Sequence, residues 1–303
     1  MTISPSYAAH RDITPNQHPG LRLRQLLTQG TPAKIMGAHD GLSARIATDT
    51  GFDALWASGL CMSSALGVRD SDEASWTDLL AVASRIVEAT PLPVLVDGDT
   101  GYGNFNTARR YARQAERLGA AGICIEDKVF PKMNSFVGNS HKLAPVAEFC
   151  GKLRACREAL RDPSFVVVAR TEALIAGLGL SEALRRAEAY RQAGADAIFI
   201  HSRKTTADEI ASFMHEWDNR LPVVIAPTTY YRTPQKTFEE IGIGGVIWAN
   251  HSMRAAVTAM REACRVMYAS GPTAVEEKIA TLSEVFGLLE YDQLAKDEER
   301  YQL

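Results

Sequence analysis

The chain has 303 residues, 46% of them hydrophobic, and a formal net charge of −3. That length can bury one large core. The slightly acidic balance excludes a general attraction to nucleic acid or to an anionic membrane, so a small anion would have to be held by local groups. The five cysteines, at 61, 124, 150, 156 and 264, are odd in number and form no CxxC pair. They read as reduced thiols of a cytoplasmic protein, most of them small core residues.

Residues 1–20, MTISPSYAAHRDITPNQHPG, lack the apolar centre of a secretory signal and read as a polar tail. No later run is apolar for long enough to span a bilayer. Eight short, β-rich apolar runs then follow: AKIMGAH (33–39), DALWASG (53–59), LPVLVDGD (92–99), GICIED (122–127), FVVVART (165–171), AIFIHS (197–202), PVVIAPT (222–228) and GVIWAN (245–250). Most of the intervening stretches, SEALRRAEAYRQAGA among them, place apolar residues at helical spacing. In TGFDALW, LGAAGICI, AGADAIFI and IGIGGVIW a glycine follows a helical stretch just before a strand, which suits a left-handed helix C-cap.

The runs are apolar throughout rather than alternating, as parallel strands covered on both faces require. Eight such units predict a (β/α)8 barrel over residues 21–270. A doubly wound dinucleotide fold is disfavoured, because no run leads into GxGxxG; Gly101-Tyr102-Gly103 is too little. From residue 271 the pattern changes. Residues 271–303 read as two helices outside the barrel, too rich in Leu, Ile, Val and Phe to stand free. They are expected to pack on a neighbouring subunit, in preference to the barrel wall.

In such barrels the chemistry sits where strands end. The ends supply His39 and Asp40; Trp56, Ser58, Gly59 and Leu60; Asp97 and Asp99; Glu126, Asp127 and Lys128; Arg170 and Glu172; His201 and Ser202; Thr228; Asn250 and His251. On a regular strand Asp97 and Asp99 point the same way. With Glu126 from the adjacent strand they form a set of carboxylates that would raise one another's pKa unless a cation joined them. All-oxygen ligands suit Mg²⁺. The plain alternative is helix capping or pairing with Arg and Lys. Arg170 would be costly to bury alone, and its fork suits a carboxylate or phosphate, of a ligand or of a rim acid such as Glu172. His201 is a site residue by position, against a satisfied core histidine. Residues 58–60 offer backbone N–H groups in a turn, a candidate anion nest. Trp248 is expected in the core. The residues themselves thus point to a Mg²⁺-dependent barrel enzyme acting on an oxo-acid or a phosphorylated acid. The other reading is a barrel that binds phosphorylated acids without turnover, which the intact acid set argues against.

The segments WASGLCMSSALGVRDSDEASW, DGDTGYGNFN, EDKVFPKMNS, VARTEALIAGLG, ADAIFIHS and VIWANHSMRAAV, in this order from about residue 22 onward, resemble the phosphoenolpyruvate mutase family of the isocitrate lyase superfamily. The resemblance implies a barrel whose last helices are exchanged between subunits, as a dimer of dimers. It implies Mg²⁺ and the interconversion of phosphoenolpyruvate with phosphonopyruvate, the first step of phosphonate biosynthesis. Asp97 would ligate Mg²⁺ directly, with Asp99, Glu126 and Asp70 holding its waters. Trp56, Ser58, Gly59 and Leu60 would bind substrate, with Arg170 and His201 on its anionic groups. Asp70 is then essential, either as a nucleophile carrying the phosphoryl group or beside a transient metaphosphate. Lys132, Asn134 and Ser135 would lie on a loop that closes over the site. The equilibrium favours the enol phosphate, so a following decarboxylase is implied.

The stretch EDKVFPKMNS separates the relatives. The superfamily's carbon–carbon lyases, the weaker alternative together with the oxaloacetate hydrolases, resemble KKCGH at this loop, with a cysteine that is absent here. Phosphonopyruvate hydrolases resemble this chain at FPK but carry Thr where Asn134 stands. On this reading Glu126 and Asp127 serve the metal site, Lys132 brings charge to the closed loop, and Asn134 and Ser135 act at the gate, excluding water so that the phosphoryl group returns to the enolate. The continuation FVGNSHKLAPVAEF departs from the more acidic turn expected of mutases.

Overall fold

The computed structural model describes residues 18–138 and 141–302. Of the expected polar tail, residues 1–17 lie outside these, and Pro19 already opens the first helix, α1 (Pro19–Thr28). Asn139 and Ser140 of the departing loop also lie outside them. The chain continues as β1 (Ala33–Ala38), α2 (Gly41–Thr50), β2 (Ala54–Ala57), α3 (Gly59–Ala65), α4 (Trp76–Glu88), β3 (Val94–Asp97), α5 (Phe105–Arg117), β4 (Gly122–Glu126), α6 (Val146–Ala159), β5 (Val166–Thr171), α7 (Gly179–Gln192), β6 (Ala197–Ile200), α8 (Asp208–Trp217), β7 (Val223–Ile225), α9 (Gln235–Glu240) and β8 (Gly245–Trp248). Each predicted run supplies one strand. The strands pair in parallel, each with the next and β8 with β1, and close a (β/α)8 barrel. The four joint glycines, Gly51, Gly119, Gly194 and Gly242, have φ of 91°, 84°, 97° and 79°. An L side chain would be strained there, which is why glycine ends these helices.

The strands alternate even though both faces are apolar. Ile123, Ile125, Val167 and Ile198 pack outward in one cluster with Tyr111, Phe149 and Phe213 of the helices. Leu95, Cys124, Val168, Phe199 and Val224 form a second cluster inside the barrel. Burying each of these larger side chains contributes about 1.5–3 kcal/mol. The inward set, followed two residues at a time toward the strand ends, gives Trp56 then Ser58, Leu95 then Asp97, Cys124 then Glu126, Val168 then Arg170, and Phe199 then His201. The rim of functional groups is therefore the last layer of the barrel interior.

The chain divides into two compact units, one ending at Asn250 and the other beginning at His251. The second holds α10 (His251–Ser270), α11 (Leu282–Leu288) and α12 (Tyr291–Tyr301), none of which contains a buried residue. The contact boundary thus precedes the change of composition at residue 271 by one helix. No helix of the described residues is long and apolar enough to cross a membrane. Four of the five cysteines are buried, and all are free thiols. Trp248 is half-buried against the edge of Phe52, with ring centroids 5.6 Å apart.

Candidate active site

At the rim lies a cavity of about 60 Å³, lined by Trp56, Ser58, Leu60, Asp70, Asp97, Glu126, Lys128, Lys132, Asn134, Ser135, Phe136, Arg170, Phe199, His201, Ala226, Thr228, Ala249 and Asn250. Of the strand-end residues singled out in the sequence, His39, Asp40, Gly59, Asp99, Asp127, Glu172, Ser202 and His251 do not line it, and Gly59 and Asp99 stand directly behind. Gly59 N–H donates to Asp97 Oδ2 at 3.1 Å. A Cβ on Gly59 would lie 2.9 Å from that oxygen and 3.1 Å from Asp99 Oδ1, so the two carboxylates press on a position only glycine fits. That N–H is committed to Asp97, and Ser58 Oγ accepts from Cys61 N–H at the start of α3. Among residues 58–60, part of the expected anion nest is thus spent inside the protein.

Asp97 and Asp99 converge, but not by strand pleat. The strand β3 ends at Asp97, and Asp99 sits beyond it in the left-handed region at φ 47°. The turn is pinned by Asp99 N–H on Asp97 Oδ1 at 3.2 Å and by Glu126 N–H on Asp99 O at 2.6 Å. Behind it, the buried Lys152 of α6 donates to Thr100 O at 3.1 Å.

The loop after β4 is folded down on this rim. Lys132 Nζ pairs with Asp70 Oδ1 at 2.7 Å and with Asp99 Oδ1. Asn134 Nδ2 donates to Asp70 Oδ2 at 2.6 Å, and Lys132 N–H donates to Asp72 Oδ2 at 2.5 Å. Ser135 Oγ donates to Glu172 Oε2 at 2.7 Å and accepts from Arg170 Nη2 at 3.1 Å. Arg170 lies over the Phe199 ring, 4.9 Å from its centroid, with Nε 2.5 Å from Glu172 Oε1 and 3.3 Å from Glu126 Oε2. His201 Nδ1 lies 2.8 Å from Arg170 Nη2 and 3.0 Å from Glu172 Oε1.

The charges explain what the site lacks by itself. Burial and the carboxylates Asp97 and Asp70, against the pull of Lys132, push Asp99 up to about 8. Asp97 is raised too, by burial first and by Asp70 and Glu126. Asp70 goes the other way: burial would raise it, but Lys132, Asn134 and Arg170 outweigh burial and hold it below the usual carboxylate range. Burial and the neighbouring Arg170 lower His201, so its imidazole is neutral. Five buried carboxyls, of Asp70, Asp97, Asp99, Glu126 and Glu172, face three cationic side chains, Lys128, Lys132 and Arg170. With all five ionised the shortfall would be two positive charges, which the raised pKa of Asp99 and Asp97 reduces, and Glu126 Oε1 is buried without a hydrogen-bond partner. Among the described residues no three acidic, imidazole or thiol groups surround one point tightly enough to enclose an ion directly. The Lys132 ammonium sits between Asp70 and Asp99. The carboxylate oxygens, with Glu126 Oε1 unpartnered, are donors of the kind a hard divalent ion takes.

Asp127 does not serve the acid set. Its carboxylate accepts from Tyr190 OH at 2.6 Å, Arg186 Nη1 at 3.1 Å and Glu172 N–H at 2.8 Å. Arg186 also donates to Ala144 O, and Ala144 N–H to Asp127 O, so the two stems of the loop are tied together here. Sequence reasoning left Lys128 and Asp72 without roles and gave Glu172 no more than pairing with Arg170. Lys128 and Glu172 stood in the rim list, but only contacts across strands reveal what they hold.

A family model described as phosphoenolpyruvate phosphomutase matches residues 23–268. The chain belongs to this family. It is 61% identical over 296 residues to a phosphoenolpyruvate phosphomutase of Streptomyces hygroscopicus, covering 97% of this chain and 95% of that one. A solved structure of phosphoenolpyruvate phosphomutase from Streptomyces platensis subsp. rosaceus superposes with a TM-score of 0.91 at 42% identity, over 94% of this chain and 99% of that one. A phosphonopyruvate hydrolase solved with oxalate and Mg²⁺ superposes with a TM-score of 0.89 at 37% identity, over 95% of this chain and 100% of the other. Family members therefore share the barrel across nearly its whole length but differ in the reaction that their names record.

Proposed function

We propose that the chain interconverts phosphoenolpyruvate and phosphonopyruvate in a Mg²⁺-dependent reaction, acting as an isomerase. The observation that carries this reading is the Asn134 amide on the Asp70 carboxylate, 2.6 Å across the closed loop. It joins the ionised group that would face the phosphoryl with the residue that would close the site.

Asp97, Asp99, Glu126 and Asp70 would hold the Mg²⁺. When bound, the ion supplies positive charge against the substrate's carboxylate, enolate and phosphoryl oxygens. The chain's own groups do the rest. Arg170 and the neutral His201 take the anionic ends of the substrate. The phosphoryl group leaves the enol oxygen, and the pyruvate enolate takes it at carbon, so the P–O bond broken is replaced by a C–P bond while the enol C–O becomes the ketone carbonyl. Asp70 stays ionised beside the moving group, which suits either attack on phosphorus or stabilisation of a loose transition state. Lys132 brings an ammonium into the same space, and Asn134 with Ser135 keeps water out while the enolate is exposed.

Further readings belong with this one. The apolar side chains left exposed on the C-terminal helices, Leu282, Phe286, Leu289 and Leu294, support packing against a second copy of the chain, as in a dimer of dimers. The free thiols support a cytoplasmic setting. An equilibrium lying toward the enol phosphate calls for a decarboxylase that consumes the keto-acid product.

The test is direct. Phosphonopyruvate and Mg²⁺ are added to the pure protein, and phosphorus NMR follows the products. Growth of the phosphoenolpyruvate signal is expected. Inorganic phosphate with pyruvate would overturn the reading and make the chain a hydrolase.

A further inference from the structure

Glu172 is buried and ionised, and it is not among the groups that the reaction above uses. Burial would raise its carboxyl, yet Arg170, His201 and Lys128 together hold it well below the usual carboxylate range. Both oxygens are saturated, and they divide the labour. Oε1 faces Arg170 Nε at 2.5 Å and His201 Nδ1 at 3.0 Å. Oε2 accepts from Ser135 Oγ at 2.7 Å and lies 3.2 Å from Lys128 Nζ. One oxygen thus serves the two side chains that grip substrate, and the other serves the closing loop. The backbone is fixed as well, because Glu172 N–H donates to Asp127, which Tyr190 and Arg186 hold from behind. The carboxylate is the fixed post of the arrangement, and Ser135 is the movable part.

We propose that Glu172 is a positioning residue that latches the closed loop: its carboxylate holds Ser135 down on the rim while it orients Arg170 and His201. The proposal rests on the reading of this loop as a gate and extends it to a residue outside the substrate's reach. It also explains why the rim needs a full negative charge under two cations. A neutral amide in place of the carboxylate must turn its NH2 either toward Arg170 and His201 or toward Ser135 and Lys128. One pair then meets a donor where it needs an acceptor.

The experiment uses the full chain and two variants, Glu172→Gln and Ser135→Ala. The first readout is tryptic cleavage after Lys132 without substrate, which needs the loop to lift and does not depend on which reaction is catalysed. Loss of one charge-assisted hydrogen bond predicts cleavage about tenfold faster in both variants, with the thermal midpoint of Ser135→Ala unchanged. The second readout is the partition of phosphonopyruvate between phosphoenolpyruvate and inorganic phosphate. Both variants are expected to release more phosphate, with kcat falling further than KM rises. Wild-type cleavage rates in both variants would overturn the latch, whatever the products. A hydrolytic wild type with fast-cut variants would overturn the mutase reading and leave the latch standing. Should Glu172→Gln fail to fold, Ser135→Ala still tests the latch, because it removes the hydroxyl that donates to Glu172 and accepts from Arg170 and Lys128, and wild-type cleavage in it alone would overturn the proposal.

Discussion

Replacing Asp70 by Asn separates the docking contacts of this residue from the chemical role proposed for it. Its carboxylate accepts from Asn134 Nδ2 at 2.6 Å and pairs with Lys132 Nζ at 2.7 Å. An amide at this place keeps one oxygen acceptor and turns an NH2 toward the other donor, so one charge-assisted bond is lost. That loss is about 2 kcal/mol, or about thirtyfold in the population of closed loop. Loop docking alone therefore predicts a fall in turnover of about thirtyfold. Removing the charge beside the moving phosphoryl group adds a larger penalty, so the expected total loss in kcat exceeds about a thousandfold. Asn134→Ala is the control: it removes the same contact but keeps the carboxylate, and should lose only about thirtyfold. The assay is phosphorus NMR with phosphonopyruvate and Mg²⁺, with circular dichroism checking that both variants fold. An Asp70→Asn rate within thirtyfold of wild type, equal to that of Asn134→Ala, would refute a chemical role for Asp70 and leave it a docking post.

Four further outcomes are expected. Asp97→Ala should raise the Mg²⁺ concentration needed for half-maximal activity by at least about tenfold, since it removes the proposed direct ligand; a metal titration matching wild type would count against the site. Asn134→Thr should lower phosphoenolpyruvate formation and raise phosphate release, and phosphate release no greater than wild type would remove the gating argument. Deleting residues from 271 onward should yield dissociated or unstable protein, whereas a well-behaved, fully active monomer on a sizing column would refute the packing of these helices on another copy. His201 is neutral in the folded state because burial and Arg170 lower its pKa. The unfolded chain, with imidazole near about 6.5, binds that proton first, so stability is fully present above that pH and falls as the pH drops below it. In urea titrations between pH 7 and 5, His201→Gln should lose stability less steeply than wild type; parallel slopes would show that His201 is not held neutral.

Much of the barrel was legible along the chain because its signals are local. A strand buried on both faces needs a run such as FVVVART, and a helix that turns back into a strand needs a glycine such as Gly119 in the left-handed region, at φ 84°. The rim residues could be read too, since strand ends are visible as the places where apolar runs turn polar. Local pattern could not say which polar groups face one another. The alternation rule pointed Asp97 and Asp99 the same way for the wrong reason; a left-handed turn at Asp99 brings them together. Asp127, adjacent in sequence to Glu126, turns away to Tyr190 and Arg186, because successive residues leave opposite faces of a strand. Glu172 read as no more than a partner for Arg170. Only the parallel pairing of β4 with β5 and of β5 with β6 sets these strand ends side by side, so that one carboxylate meets Lys128, Ser135, Arg170 and His201 at once. The sequence by itself determined the strands, their caps and the kinds of group at the rim, since these depend on neighbours a few residues apart. The pairing of charges was left to the tertiary structure, because it depends on distances between residues up to 64 apart, as Asn134 and Asp70 are.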